Sequence, residues 1–250
     1  MPAELIVRLR AARALPPDTR LLHGLACALF EGTDAAGHDG HEKPFAVWPL
    51  QPPAARTAQP GAAPLWVLRA AWLPDGAPPA ATIAPAQLRV GSATCPVAEA
   101  SHRAVSFREL ATGPACDIVR VTFRSPTYFA HNGADTLVPD PRLIVGSWRR
   151  RWNASLPEES ALAVSDDTWR EILRAISLAD YELTTRSRDS GHGRERAGFT
   201  GAASLRLARD AAIEARHAVG ALARFAEFCG TGAQTTHGFG ATCTDVPARR

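Results

Sequence analysis

The stretch Phe228–Gly240 reads F-C-G-T-G-A-Q-T-T-H-G-F-G and sets Gly230, Gly232, Gly238 and Gly240 within eleven positions. It follows a long amphipathic run and precedes the short apolar piece Ala241–Cys243. Residues without a Cβ take positive φ easily and let main-chain N–H groups approach a ligand, which for an anion makes a cradle of donors. No Lys-Ser/Thr pair closes the run as in a P-loop, and no strand precedes it at the dinucleotide-binding spacing. The loop is expected to leave a helix and enter a strand.

Working outward, Ala215, Val219, Leu222, Phe225 and Phe228 mark an apolar stripe on a helix over Ala208–Phe228, and Phe239–Thr244 is the strand after the loop. Tyr181–Ser187 and Phe199–Leu207 read as strands joined by a charged hairpin, Arg188–Arg196. Pro141–Trp152 has helical spacing in Leu143, Trp148 and Trp152, and Thr168–Ile176 adds a helical turn or two. Ile118–Phe123 alternates with Val119, Val121 and Phe123 inward. Strand, helix, strand, strand, helix, strand is the ferredoxin-like order. The first half reads similarly: a strand at Glu4–Arg10, a helix at Asp18–Glu31, and strands at Pro44–Leu50 and Leu65–Leu73. Its second helix is expected within Ile83–Leu88, Ala104–Leu110 ends the half and Ala111–Ala115 links the two. The fold class is α+β: tandem ferredoxin-like (RRM-like) domains, 1–113 and 114–250, with a C-terminal glycine-rich loop.

A chain of 250 residues is long enough for two domain cores. The net charge of +3 is too small to argue for nucleic acid by itself, and Lys43 is the only lysine, so the positive charge is carried by arginine. Five cysteines, an odd number without a C-x-x-C pair, read as reduced thiols. No metal-ligand spacing and no cofactor motif is present, so neither metal nor cofactor is expected. The N-terminus lacks an apolar signal core and no apolar run reaches membrane-spanning length, from which a cytoplasmic location without membrane contact is expected.

The Gly-x-Gly run followed by Gly-Phe-Gly near the C-terminus resembles the signature loop of the CRISPR-associated repeat-cleaving endoribonucleases, the sixth Cas family, within the RAMP superfamily. Phe123–Phe129 (F-R-S-P-T-Y-F), Pro139–Pro141, Ser147–Trp148, Trp152–Asn153, Tyr181–Leu183 and Gly198–Gly201 resemble further parts of that family in the same order. Leu22–Leu25 and His38–Leu50 resemble its N-terminal half more loosely. The resemblance implies an enzyme that binds a CRISPR repeat stem-loop, cuts it once, and stays with its product RNA (crRNA) in a complex with other Cas subunits. A non-catalytic RNA-binding RAMP subunit is the alternative.

Metal-free RNA cleavage needs a base for the 2′-hydroxyl, an acid for the leaving 5′-oxygen, and donors or cations on the phosphate. Histidine serves either proton transfer near neutral pH. The resemblance puts the catalytic histidine just before the run Lys43-Pro44-Phe45, at His38, with His41 three residues on, Lys43 as the charge-stabilising cation, and His23 in the first helix as the other candidate. For RNA contact the candidates are Gly230, Gly232, Gly238, Phe239, Gly240 and His237 of the loop, the hairpin cluster Arg186, Arg188, Arg194 and Arg196, and Arg149, Arg150 and Arg151 at a helix end. Arginine suits this work because its fork donates two parallel hydrogen bonds.

Overall fold

A computed structural model describes residues 1–11, 15, 18–30, 43–53, 64–78, 86–131, 133–190 and 195–247. Two antiparallel sheets organise them. The first takes β1 (Ala3–Arg10), β2 (Phe45–Val47), β3 (Leu65–Trp72), β4 (Gln87–Val90) and β5 (Ala93–Ala104) in the order β2-β3-β1-β5-β4. The second takes β6 (Ile118–Thr127), β9 (Ile176–Asp189), β10 (Glu195–Leu207) and β11 (Thr242–Asp245) in the order β11-β6-β10-β9. A small hairpin, β7 (Phe129–His131) with β8 (Ala134–Thr136), stands apart.

Each sheet is covered by the helices its sequence period calls for. In β1, Ala3, Leu5, Val7 and Leu9 are buried on one face, and α1 (Thr19–Phe30) lays Leu22, Leu25, Ala26, Leu29 and Phe30 against it. In the second unit Val119, Val121 and Phe123 point inward as expected, under α3 (Pro141–Ser155), α4 (Asp166–Ala175) and α5 (Ile213–Cys229). Asp140 caps α3 by accepting from the Arg142 and Leu143 amides, and Ser165 caps α4 through the Thr168 amide. The second unit thus has the ferredoxin-like order outright, with α4 inserted before β9.

The expectations for the first unit need two corrections. Leu88, placed in a second helix, lies in β4, and residues 83–85 are outside the described ones. The twelve-residue β5, paired along β1, was not anticipated. The physical reason is its weak alternation: only Cys95 of β5 is buried, so the register comes from β1 and from the two-residue turn Gly91-Ser92 that joins Val90 to Ala93. The short α2 (Phe107–Ala111) follows β5 but buries Phe107 and Leu110 in the core of the second unit.

The two units share α5. Eleven of its seventeen residues are buried, as expected for a helix covered on more than one side. Its C-terminal end meets the outward face of the first sheet: Arg69 donates to the Glu227 carbonyl at 3.5 Å and lies 4.0 Å over the Trp48 ring, and Arg103 lies 5.5 Å over Phe228. Trp48, Ala71 and Leu73 of the first unit join the second unit's core. Glu4 pairs with Arg69 beneath this contact, so the charge nearest the seam is neutralised.

After α5 the chain turns through Gly230 to Ala241, and Gly240, at φ +65°, lies so close to Thr231 that an added Cβ would collide with the Thr231 carbonyl oxygen. Gly240→Ala should therefore destabilise the protein by about 2 kcal/mol or more. Gly24→Ala, exposed in α1 with open space at its Cβ, should instead stabilise by about 0.5–1 kcal/mol. Urea unfolding of the two variants beside the wild type checks both signs.

Candidate functional site

The loop's close approach to its surroundings decides where its amides point. Gly232, at φ +78°, sits on the end of β6, where any Cβ would strike the Tyr128 carbonyl oxygen. The amides of Gly230, Thr231, Gly232, Ala233, Gly240 and Ala241 donate to Ala226 O, Gly240 O, Ser147 Oγ, Tyr128 O, Pro126 O and Ser125 Oγ. All four glycines are buried, and buried backbone donors must be paired. These amides therefore form no cradle for an anion, which corrects the expectation drawn from glycine density. Phe239 is likewise buried, edge-on to the Tyr128 ring at 5.7 Å. A second layer holds the loop from behind: the Trp148 indole donates to Thr231 Oγ1 at 2.8 Å, and Arg151 donates to the Gly232 carbonyl at 2.9 Å.

What the loop does present is the arch from Gln234 to Gly238, and it faces the first unit. The imidazoles of His237 and His23 stack with centroids 4.0 Å apart and planes 5° from parallel. His23 Nδ1 lies 3.2 Å from the Thr236 carbonyl, which only accepts, so that nitrogen carries the proton. The opposite nitrogen, Nε2, lies 3.6 Å from Cys27 Sγ one helical turn on. Phe45 of β2 completes the group, 5.9 Å from His23. Both ring nitrogens of His23 are thus engaged in latching α1 to the loop. Thr236 Oγ1 and His237 Nδ1 are 2.9 Å apart. Burial, with the neighbouring His23 adding to it, holds the His237 imidazole down at about 4 against an ordinary 6.5. Two buried oxygens of the arch, Gln234 Oε1 and Thr235 Oγ1, have no partner among the described residues.

The arginine candidates divide by what they already hold. Arg149 donates to the Val164 carbonyl and to Asp166 and lies 5.3 Å over Trp169, so it ties α3 to α4. Arg151 holds the loop, as above. Arg196 pairs with Asp135 and lies 5.0 Å over Tyr128. Arg188, partly buried, donates to the Gly238 carbonyl at 3.3 Å. These four are members of the fold's own network; by exposure, Arg150 and Arg186 are the outermost of the set. Lys43 begins the segment leading into β2, two residues before Phe45 and so within about 7 Å of it along the chain. His38, His41 and Arg194 lie outside the described residues.

Of the histidines named from the sequence, His23 and His237 are brought together, and what sequence reasoning missed is their partners. Cys27 had a legible signal, four residues after His23 on one helix face. The Thr236 carbonyl and the stack with His237 had none, because they depend on how two segments more than two hundred residues apart are packed.

Two ferredoxin-like units joined through a shared helix and a glycine loop define the class: a tandem ferredoxin-like protein. Residues 121–242 match the family model described as CRISPR-associated endoribonuclease Cas6. Across nearly its whole length the chain is similar to solved Cas6 proteins. A Cas6 (TTHB231) product complex is 27% identical, with a TM-score of 0.80 over 98% of this chain and 100% of that one. Thermus thermophilus Cas6 (TTHB231) is 28% identical, with a TM-score of 0.72 over 98% of each. A Cas6 (TTHA0078) product complex, 24% identical with a TM-score of 0.76 over 98% and 99%, shares the fold. Comparison with curated proteins gives no match. In sequence over its second unit and in fold throughout, the chain resembles the Cas6 family of CRISPR repeat-processing endoribonucleases. No helix among the described residues is long and apolar enough to cross a membrane.

The depressed His237 sets a pH dependence. The native state favours the neutral ring, so its contribution is complete above the unfolded value of 6.5 and is lost as pH falls toward about 4. Melting temperature should drop across that window, and less steeply in His237→Phe, which keeps an aromatic ring on His23 but cannot titrate. Thermal denaturation at stepped pH compares the two slopes.

Proposed function

We propose that this chain is a metal-independent endoribonuclease that binds the stem-loop of a CRISPR repeat in precursor transcripts and cuts it once, leaving 2′,3′-cyclic phosphate and 5′-hydroxyl ends. The observation that carries the reading is the Cas6 match over residues 121–242 together with 27% identity along the full length of a Cas6 solved with its product. In the reaction a base takes the proton of the ribose 2′-hydroxyl, the 2′-oxygen attacks the adjacent phosphorus, and the bond to the 5′-oxygen breaks as an acid protonates it. We assign His38 the acid or base role, with Lys43 stabilising charge on the phosphate and His41 or His23 assisting. His23 is given the lesser role because both its nitrogens are engaged. Support for chemistry at the seam comes from Lys43 leading into β2, whose Phe45 meets His23 opposite the loop.

RNA contact is proposed for the exposed Arg186 and Arg150, with Arg194, along the hairpin and the α3 surface, where cations can track phosphates. For the loop, contact is proposed through the arch at His237 and Gly238 rather than through its inward amides. The product RNA and other Cas subunits are the proposed partners, one structural neighbour being a partial Cas6-RT-Cas1–Cas2 complex.

Incubation with a repeat hairpin in EDTA should give a single cut, and a 2′-deoxy substitution at the cut site should abolish cleavage while sparing binding. His38→Ala should lower the cleavage rate by about a hundredfold or more. An unchanged rate would move the role to His41 or His23. Tight binding without any cleavage would assign the chain to the non-catalytic RNA-binding subunits.

A further inference from the structure

A pocket of about 390 Å³ lies between α3, α4 and the start of the loop. Its uncharged walls include Leu143 and Gly146 of α3, Trp169 and Leu173 of α4, Phe129 of β7, and Ala233, the residue before the arch. A mostly apolar hollow of a few hundred Å³ is the usual form of a small-ligand site. Two charged side chains also line it, Arg142 and Arg150, and both are exposed. Positions 142, 146 and 150 share one face of α3, so the two arginines stand about 12 Å apart along the helix axis with Gly146 midway between them.

Gly146 points to an occupant. A glycine inside a helix costs stability relative to alanine. The fold does not require this one: its φ is not in the left-handed region, and an added Cβ would meet Trp169 at ordinary van der Waals distances of 3.5 and 3.6 Å. What the missing side chain leaves is open floor beside an indole. Trp169 is partly exposed and braced by the Arg149 guanidinium, 5.3 Å over its ring. Its N–H makes no hydrogen bond among the described residues, whereas those of Trp148 and Trp152 donate to Thr231 and Leu162.

A flat ring with an anion on either side fits an indole between two arginines. Unpaired bases stack on aromatic side chains whatever their sequence, and arginine forks hold phosphates. We propose that the pocket holds one unpaired nucleotide of the RNA flanking the repeat stem, its base against Trp169 over Gly146 and its adjoining phosphates on Arg142 and Arg150. The inference rests on the RNA-binding reading above and adds to it a subsite outside the stem. Ala233 is four residues from His237, so the pocket wall and the arch lie within about 14 Å of each other along the chain. RNA in contact with the arch therefore has the pocket within reach of its next unpaired nucleotides.

The test uses the full-length chain and a repeat hairpin with a 2′-deoxy residue at the cut site, which keeps the RNA intact. Fluorescence anisotropy compares hairpins with a short unpaired flank on the 5′ side, on the 3′ side, or on neither. A flank should tighten binding about tenfold over the blunt hairpin, and the side that does so identifies the strand held. An abasic residue at one flank position should remove most of that gain, while abasic residues beside it leave the gain in place. Trp169→Ala, and Gly146→Leu, which fills the floor, should each abolish the gain yet bind the blunt hairpin as the wild type does. Arg142→Gln should reduce both the gain and its salt dependence. Melting temperatures report whether each variant is folded, and the abasic series needs no variant at all. Flanks that add nothing to a hairpin the wild type binds, a gain that no single abasic site removes, or one that survives both Trp169→Ala and Gly146→Leu would each overturn the proposal and leave the RNA-binding reading standing. Failure to bind any hairpin would overturn both.

Discussion

Two backbone segments that touch without side chains between them set the geometry of this molecule. Gly232 rests on the Tyr128 carbonyl at the end of β6, and Gly240 rests on Thr231. Each contact needs a residue with no Cβ in a left-handed conformation, and each returns an inward hydrogen bond, Ala233 to Tyr128 and Thr231 to Gly240. The loop is therefore a wedge fixed on one side by the second sheet and on the other by α3, through Trp148, Ser147 and Arg151. Only because that wedge is rigid does its arch meet α1 at a defined place, with Thr236 and His237 against His23.

The same constraint explains how the arginines are used. In a chain whose cations are nearly all arginine, several forks are spent inside the fold. Arg216 is buried because its guanidinium reaches the Ala208, Arg209 and Ala211 carbonyls and pairs with Asp117, which satisfies donors that burial would otherwise leave without partners. Arg224 reaches the Leu110 carbonyl and joins α5 to the end of α2. A count of arginines thus overstates the positive charge left at the surface, and among the arginines singled out from the sequence Arg150 and Arg186 are the exposed ones.

The fold was legible where burial is one-sided. Val119, Val121 and Phe123 alternate because one face of β6 is core, and α5 shows its stripe because its first half still has an open side. Legibility failed at β4, which is only four residues long, and at β5, which is mostly exposed and is placed by its pairing with β1 rather than by its own residues. In the candidate site, His23 and His237 could be named from the sequence, but not that their rings stack. The glycine loop was located correctly and its donors were given the wrong direction. Glycine content says that backbone comes close to something, and here that something is the protein itself.

By itself the sequence determined the α+β class, the ferredoxin-like order of the second half and the presence of a helix-loop-strand end, since those follow from local periodicity and from residues that alone tolerate positive φ. Tertiary structure decided the rest: which amides are consumed, which arginines remain outside, and that one imidazole from the first helix lies flat on another from the last loop. Such contacts join positions far apart in the chain, and no local pattern encodes a distance that only the packing of two sheets on a shared helix creates.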